Sequence, residues 1–255
     1  MTILFSDIRG FTSLSEKMTP QENFDFLNDY LGKMEPIIDQ YHGFIDKYIG
    51  DAIMALFSNC ADDAVRGSIA MLKTLATYNK MRQPKGLQPI SIGIGVNTGQ
   101  LMLGTIGNKN RMDSTVISDA VNLASRVEGL TKIYHTSLLI TYQTYLKLVD
   151  PSQYQIRVID AVKVKGKSDV VTVYEVYDAQ PSESIALKNQ THDDFEYGFM
   201  LYHSKEFLDA KAFFEKVLQV NDKDKAAQVY LKRCEYFQKY GVPENWECVE
   251  MLANR

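Results

Sequence analysis

The sequence predicts an α+β sandwich: helices packed on a mixed, mainly antiparallel sheet, followed by a small α-helical segment. Three observations carry this. Strand-like and helix-like runs alternate from residue 2 to about residue 178. Turn signals at Gly50-Asp51, Asn97-Thr98-Gly99 and Lys165-Gly166-Lys167-Ser168 join neighbouring strand-like runs into hairpins. Beyond His192 the apolar period becomes purely helical. Alternation with adjacent hairpins points to helices lying on one sheet.

Each element has a local reason. Residues 2–8 form an apolar run that reads as a buried strand ending in the carboxylate Asp7. Thr19-Pro20-Gln21-Glu22 starts a helix, with Thr19 as N-cap, Pro20 in the first turn and Glu22 closing a capping box. Phe24, Leu27, Leu31, Met34 and Ile38 follow at helical spacing, and Gly43 sits just past the end. Residues 44–57 read as a hairpin with Asp51 at its tip. Ala61 to Met81 is a second helix, with Val65, Ile69, Leu72 and Leu75 on one stripe. Ile90 to Val96 is a strand expected to pair with Leu101 to Ile106 across Asn97-Thr98-Gly99. Ser118 or Asp119 caps a helix to about Thr131. Ser137–Ile140 is a short strand, 142–149 a short helix, and 154–164 with 170–177 a last hairpin.

The reading divides the chain into residues 1–178, a polar linker at 179–192, and a helical segment at 193–255. In the last, Gly198, Ala210 and Phe214 fall where a tetratricopeptide repeat of about 34 residues places Gly, Ala and Phe. Asp222 stands where that repeat usually has Pro. A single repeat cannot bury its own face, so a protein partner, the main domain or further helices must cover it.

Composition excludes several classes. Of 255 residues, 45% are hydrophobic and 24% charged, as in an ordinary soluble protein. A net charge of -4 without Lys/Arg runs gives no footprint for nucleic acid or an anionic membrane surface. Cys60, Cys234 and Cys248 have no metal spacing and are odd in number, so a reducing, cytoplasmic setting is expected. No apolar stretch is long enough to span a membrane. The first strand begins almost at Met1, which sets the expectation of a fragment whose upstream sensor or membrane segments lie outside it.

A carboxylate at a strand end and another at a hairpin tip could share a pair of metal ions, which points to phosphoryl or nucleotidyl transfer. Three segments narrow this. Phe5-Ser6-Asp7-Ile8-Arg9-Gly10-Phe11-Thr12, Lys47-Tyr48-Ile49-Gly50-Asp51-Ala52 and Asp119-Ala120-Val121-Asn122-Leu123-Ala124-Ser125-Arg126 resemble the class III nucleotide cyclase catalytic domain, in its order and spacing. The whole chain, repeat included, is similar to cyanobacterial-type adenylate cyclases.

The resemblance implies a ferredoxin-like, palm-like fold and conversion of ATP to 3′,5′-cyclic AMP and pyrophosphate. It implies that Asp7 and Asp51, with the Ile8 carbonyl, hold two Mg²⁺ or Mn²⁺ ions. Asn122 would position the ribose and Arg126 would stabilise charge on the α-phosphate. Lys47 and Thr115 would read the base, and Lys165 would contact the β/γ-phosphates. A Lys donor suits adenine N1 and a Thr oxygen the N6 amine, whereas guanylate cyclases usually place Glu at the lysine position. Thr115 matches a bacterial subgroup often stimulated by bicarbonate. Arg9 could reach a phosphate. Metal and nucleotide positions come from different subunits in the family, which implies a head-to-tail homodimer. The rivals are a guanylate cyclase, a silent cyclase-like regulatory module, and another two-metal nucleotidyl transferase.

Overall fold

The computed structural model describes residues 1–108, 111–164, 170–243, 246 and 250–252. Two compact units divide the chain. The first comprises residues 1–131 and 137–150, the second residues 132–136 and 151–255.

Along the first unit run β1 (Thr2–Ile8), α1 (Phe11–Ser15), α2 (Pro20–Gln40), β2 (Gly43–Ile49), β3 (Ala52–Phe57), α3 (Ala61–Arg82), β4 (Ile92–Thr98), β5 (Met102–Asn108), β6 (Arg111–Ile117), α4 (Asp119–Ile133), β7 (Leu138–Thr141) and α5 (Tyr142–Tyr145). The main sheet has the order β7-β4-β1-β3-β2. β1 is antiparallel to β3 and β4, while β4 and β7 are parallel, so the sheet is mixed and mainly antiparallel as expected. Every residue of β1 except Asp7 is buried. A central strand covered on both faces needs an unbroken apolar run rather than alternation. The capping box forms at the start of α2, with Glu22 N donating to Thr19 Oγ1 and Thr19 N to Glu22 Oε2.

One expectation holds in part and one fails. Met34 and Ile38 of the expected α2 stripe are buried, but Phe26, Tyr30 and Ile37 complete the inward face and Phe24 is 67% exposed. Both stripes satisfy helical spacing, and only packing against the sheet chooses between them. The strand 101–106 does not pair with β4, whose edges are taken by β1 and β7. Instead β5 pairs with β6, closing at Asn108 opposite Arg111.

The second unit contains β8 (Ile156–Val164), β9 (Val170–Val176), α6 (Ser182–Gln190), α7 (His192–His203), α8 (Phe207–Val220), α9 (Lys225–Tyr240) and β10 (Glu250–Leu252). β8 runs antiparallel to β9 and parallel to β10. The hairpin therefore groups with the C-terminal helices, and the stretch read as a linker holds α6. The cause is tertiary. Buried Arg157 on β8 bonds Glu175 on β9 (2.8 Å) and both carboxylate oxygens of Asp224 (2.6 and 3.1 Å). Lys188 of α6 reaches Glu175 at 2.6 Å. Around this network, Tyr230 stacks on Phe214 at 5.0 Å between ring centroids. Gly198 leaves room for Phe214, whose ring would lie 3.0 Å from an added Cβ. Among the described residues no helix is long and apolar enough to cross a membrane.

Candidate active site

The fold brings Asp7 and Asp51 together although 43 residues separate Ile8 from Asp51. Asp7 is the penultimate residue of β1. Asp51 follows Gly50 at the β2–β3 tip, where φ of +63° favours glycine. Ile8 N donates to Asp51 Oδ2 at 3.1 Å. Both carboxylates are half-buried. Burial, then hydrogen bonding and repulsion from the adjacent Asp7, push the Asp51 carboxyl up to about 7, and hydrogen bonds from its own backbone N–H and that of Ile8 offset this only in part. The buried Tyr30 hydroxyl is raised as well, by its burial and by the charges of Asp51 and Asp7.

Two carboxylates held so close that one resists ionising suit a divalent cation, which relieves their repulsion. The donor set therefore fits hard cations. Among the described residues no group of three or more His, Cys, Asp or Glu side chains could hold a metal. The chain would supply two carboxylates and a carbonyl, leaving coordination positions for phosphate and water, as Mg²⁺ commonly requires.

Lys47 lies on the same hairpin. The β2–β3 register shifts between Ile45 and Lys47, making Asp46 the extra residue of a bulge. Consecutive strand side chains normally point to opposite faces, yet Lys47 Nζ lies 3.2 Å from Asp46 Oδ2. Lys47 is half-exposed and the Asp46 side chain is buried. Thr115 stands on β6 opposite Gly104, with its side chain outside the described set. Lys165 lies outside the described residues.

Asn122 and Arg126 are one turn apart on α4, the first exposed and the second partly so. The helix is seated by small residues. Ala124 packs on Ile3, Phe5, Met54 and Leu56. At Gly95 a Cβ would come within 2.2 Å of the Glu128 backbone nitrogen, so the glycine admits the helix directly onto β4. Ser118 Oγ accepts from Ala120 N, the cap expected of that hydroxyl. Asn97 Nδ2 donates to Ala120 O at 2.9 Å, giving the Asn97-Thr98-Gly99 turn a structural task. The sequence does not assign Arg9 to the site. Its guanidinium turns inward, and Nη1 donates to buried Glu128 Oε1 at 3.1 Å.

Comparison with known proteins decides the family. The Adenylate and Guanylate cyclase catalytic domain matches residues 1–176. The chain belongs to that family. It is 52% identical over 182 residues to an adenylate cyclase of Anabaena cylindrica, covering 69% of this chain and 36% of that protein. It is 40% identical over 243 residues to the terminal-differentiation specific adenylate cyclase of Dictyostelium discoideum, covering 92% of this chain and 11% of that protein. The chain thus spans about a third of one relative and about a tenth of the other. The crystal structure of the adenylyl cyclase CyaB from P. aeruginosa is 36% identical with a TM-score of 0.62, covering 70% of this chain and 94% of that one. That of the guanylyl cyclase Cya2 is nearly as similar, at 35% and 0.61, over 71% and 93%. Cyclase relatives of both kinds share the α+β fold, so similarity alone leaves the nucleotide base open.

The sequence motifs gave no sign of two contacts that lie beside Asp7, Lys47 and Arg126 in the structure. Glu128 gave no signal as a partner for Arg9, and Asp46 gave none beyond its place before Lys47. Neither spacing nor composition reports a bulge or an inward-turned guanidinium.

Proposed function

We propose that this chain is the catalytic domain of an adenylate cyclase, converting ATP to 3′,5′-cyclic AMP and pyrophosphate at the interface of a head-to-tail homodimer. The observation that carries the reading is the convergence of Asp7, Ile8 and Asp51, in a chain of this family whose Asn122 and Arg126 share one helix. The named adenylate cyclases among its relatives support it. Asp7, Asp51 and the Ile8 carbonyl would hold two Mg²⁺ or Mn²⁺ ions. Bound there, such ions supply Lewis-acid activation of a hydroxyl nucleophile and neutralise charge on the phosphates.

The other residues bind and orient. Lys47 donates to adenine N1, and Thr115 accepts from the N6 amine. Guanine carries a proton at N1, so an ammonium there meets a donor rather than an acceptor. Asn122 orients the ribose. The Arg126 guanidinium, with several donors in one plane, meets the charge that grows on the α-phosphate in the transition state. Lys165, between β8 and β9, steadies the β- and γ-phosphates.

The dimer reading draws on exposed apolar side chains on two first-unit strands: Phe44, Tyr48 and Ile49 on β2, Met102 and Leu103 on β5. A second copy of the chain would cover them. In such a dimer one chain supplies the carboxylates and the other supplies Lys47, Thr115, Asn122 and Arg126 to the same nucleotide. The helices α7 and α8 would form a tetratricopeptide-like pair open to a protein partner.

Turnover of ATP and GTP by the purified chain with Mn²⁺ tests the reading, beside Lys47→Glu. Wild type should make cyclic AMP in preference to cyclic GMP, and Lys47→Glu should lower the ATP/GTP ratio by at least ~10-fold. An unchanged ratio would sink the assignment of Lys47. A folded dimer that makes neither product would point to a silent regulatory module.

A further inference from the structure

The two halves of the catalytic apparatus in one chain are the strand end bearing Asp7 and the helix bearing Asn122 and Arg126. One buried ion pair joins them. Arg9 follows Asp7 and Ile8, and its backbone is fixed by Arg9 N donating to Ser91 O at 2.8 Å. Its side chain turns under the sheet end to Glu128, which lies two residues past Arg126 and is 1% exposed. The guanidinium occupies space that Gly93 leaves empty. A Cβ at Gly93 would stand 1.9 Å from Arg9 Nη2 and 2.3 Å from Thr131 Oγ1 of α4. Gly95, two residues on, lets the Glu128 backbone rest on β4. Two glycines on one face of β4 thus make the slot in which strand end and helix are tied.

We propose that Arg9 and Glu128 are positioning residues that fix α4, with Asn122 and Arg126, relative to the metal-binding end of β1. This rests on the cyclase reading above. In a head-to-tail dimer the two ends of the strut serve different active sites, so the pair also links the two sites to one another. The strut touches neither nucleotide nor metal. Its effect is on geometry, and a displacement of about 1 Å at a catalytic group costs on the order of 100-fold in rate.

The variants are Glu128→Gln, which keeps shape and removes charge, and Gly93→Ala, which displaces the guanidinium and leaves both charges. Each is measured as a folded dimer for kcat, KM for ATP and the Mn²⁺ concentration giving half-maximal rate. Both should lower kcat by at least ~10-fold with KM changed less than ~3-fold. Arg9→Met combined with Glu128→Gln should recover Tm relative to Glu128→Gln alone, because no buried charge is then left unpaired, while kcat stays low because the tie is gone. A purely structural pair would lower Tm and leave kcat per folded dimer untouched, and that outcome overturns the proposal. Should Glu128→Gln fail to fold, Arg9→Lys, which spares Thr131 of α4, decides in its place with the same expected loss of kcat. Wild type with Asp51→Ala as control separates the two levels. An inactive wild type removes the cyclase reading and the strut with it. An active wild type, a dead control and strut variants with normal kcat remove only the strut.

Discussion

The two units treat buried carboxylates in opposite ways. In the second unit, Glu175 and Asp224 are fully enclosed and saturated by Arg157 and Lys188, with the Phe195 ring 4.4 Å from the Arg157 guanidinium. In the first, the half-buried Asp51 stands against Asp7 and accepts from backbone N–H groups, that of Ile8 among them. Arg157 and Lys188 hold Glu175 and Asp224 below their ordinary values, while burial and the neighbouring Asp7 push Asp51 up to about 7. Carboxylates met by cations ionise readily, whereas carboxylates set against one another resist it.

The contrast is breakable by mutation. The largest effect expected is that of Asp51→Asn. Cyclic nucleotide production should fall by about 100-fold or more, while thermal unfolding occurs at the same temperature or higher, because a like-charge contact has gone. A marked drop in Tm would mean that Asp51 stabilises the fold, and the contrast would collapse. Arg157→Ala should do the reverse. It leaves two buried carboxylates short of a partner and should cost about 3–5 kcal/mol in denaturant unfolding. A loss below ~1 kcal/mol would show that water reaches the network.

Metal addition sharpens the comparison without any assay of activity. Saturating Mn²⁺, at about 100 times its dissociation constant, should stabilise wild type by roughly 2.7 kcal/mol. Chelator should reverse this, and Asp51→Asn should show none of it. An equal rise in Asp51→Asn would place the ion elsewhere.

The smallest effect is in acid. Burial raises Glu175, but Lys188 and Arg157 outweigh it; burial raises Asp224, but Arg157 outweighs it. Both folded values therefore lie below the ordinary 4.5 and 3.8. Such groups lend stability that is complete above the unfolded values and is lost as pH falls through the folded ones. Denaturant midpoints of wild type should decline below about pH 4.5, and those of Asp224→Asn should decline less steeply. Parallel curves would remove Asp224 from the acid response.

The helix-start chemistry of α2, the β2–β3 hairpin and the central β1 were legible because their causes are local: a capping box, a Gly-Asp tip, an unbroken apolar run. Asp7, Asp51, Asn122 and Arg126 were legible as motifs for the same reason. The partner of β5 was not, because strand pairing depends on which edges are already occupied. Nor was α6, whose Lys188 looks like an exposed linker lysine until Glu175 meets it.

The sequence by itself determined the family and most of the element types of the first unit, since these follow from residue identity at short spacing. Only the tertiary structure decided that Asp51 lies against Asp7, that Asp46 shares a bulge with Lys47, and that Arg9 turns inward to Glu128. Two of those contacts span long separations and the third rests on a bulge, so backbone geometry and the space left by glycine, rather than local propensity, fix where a charge comes to rest.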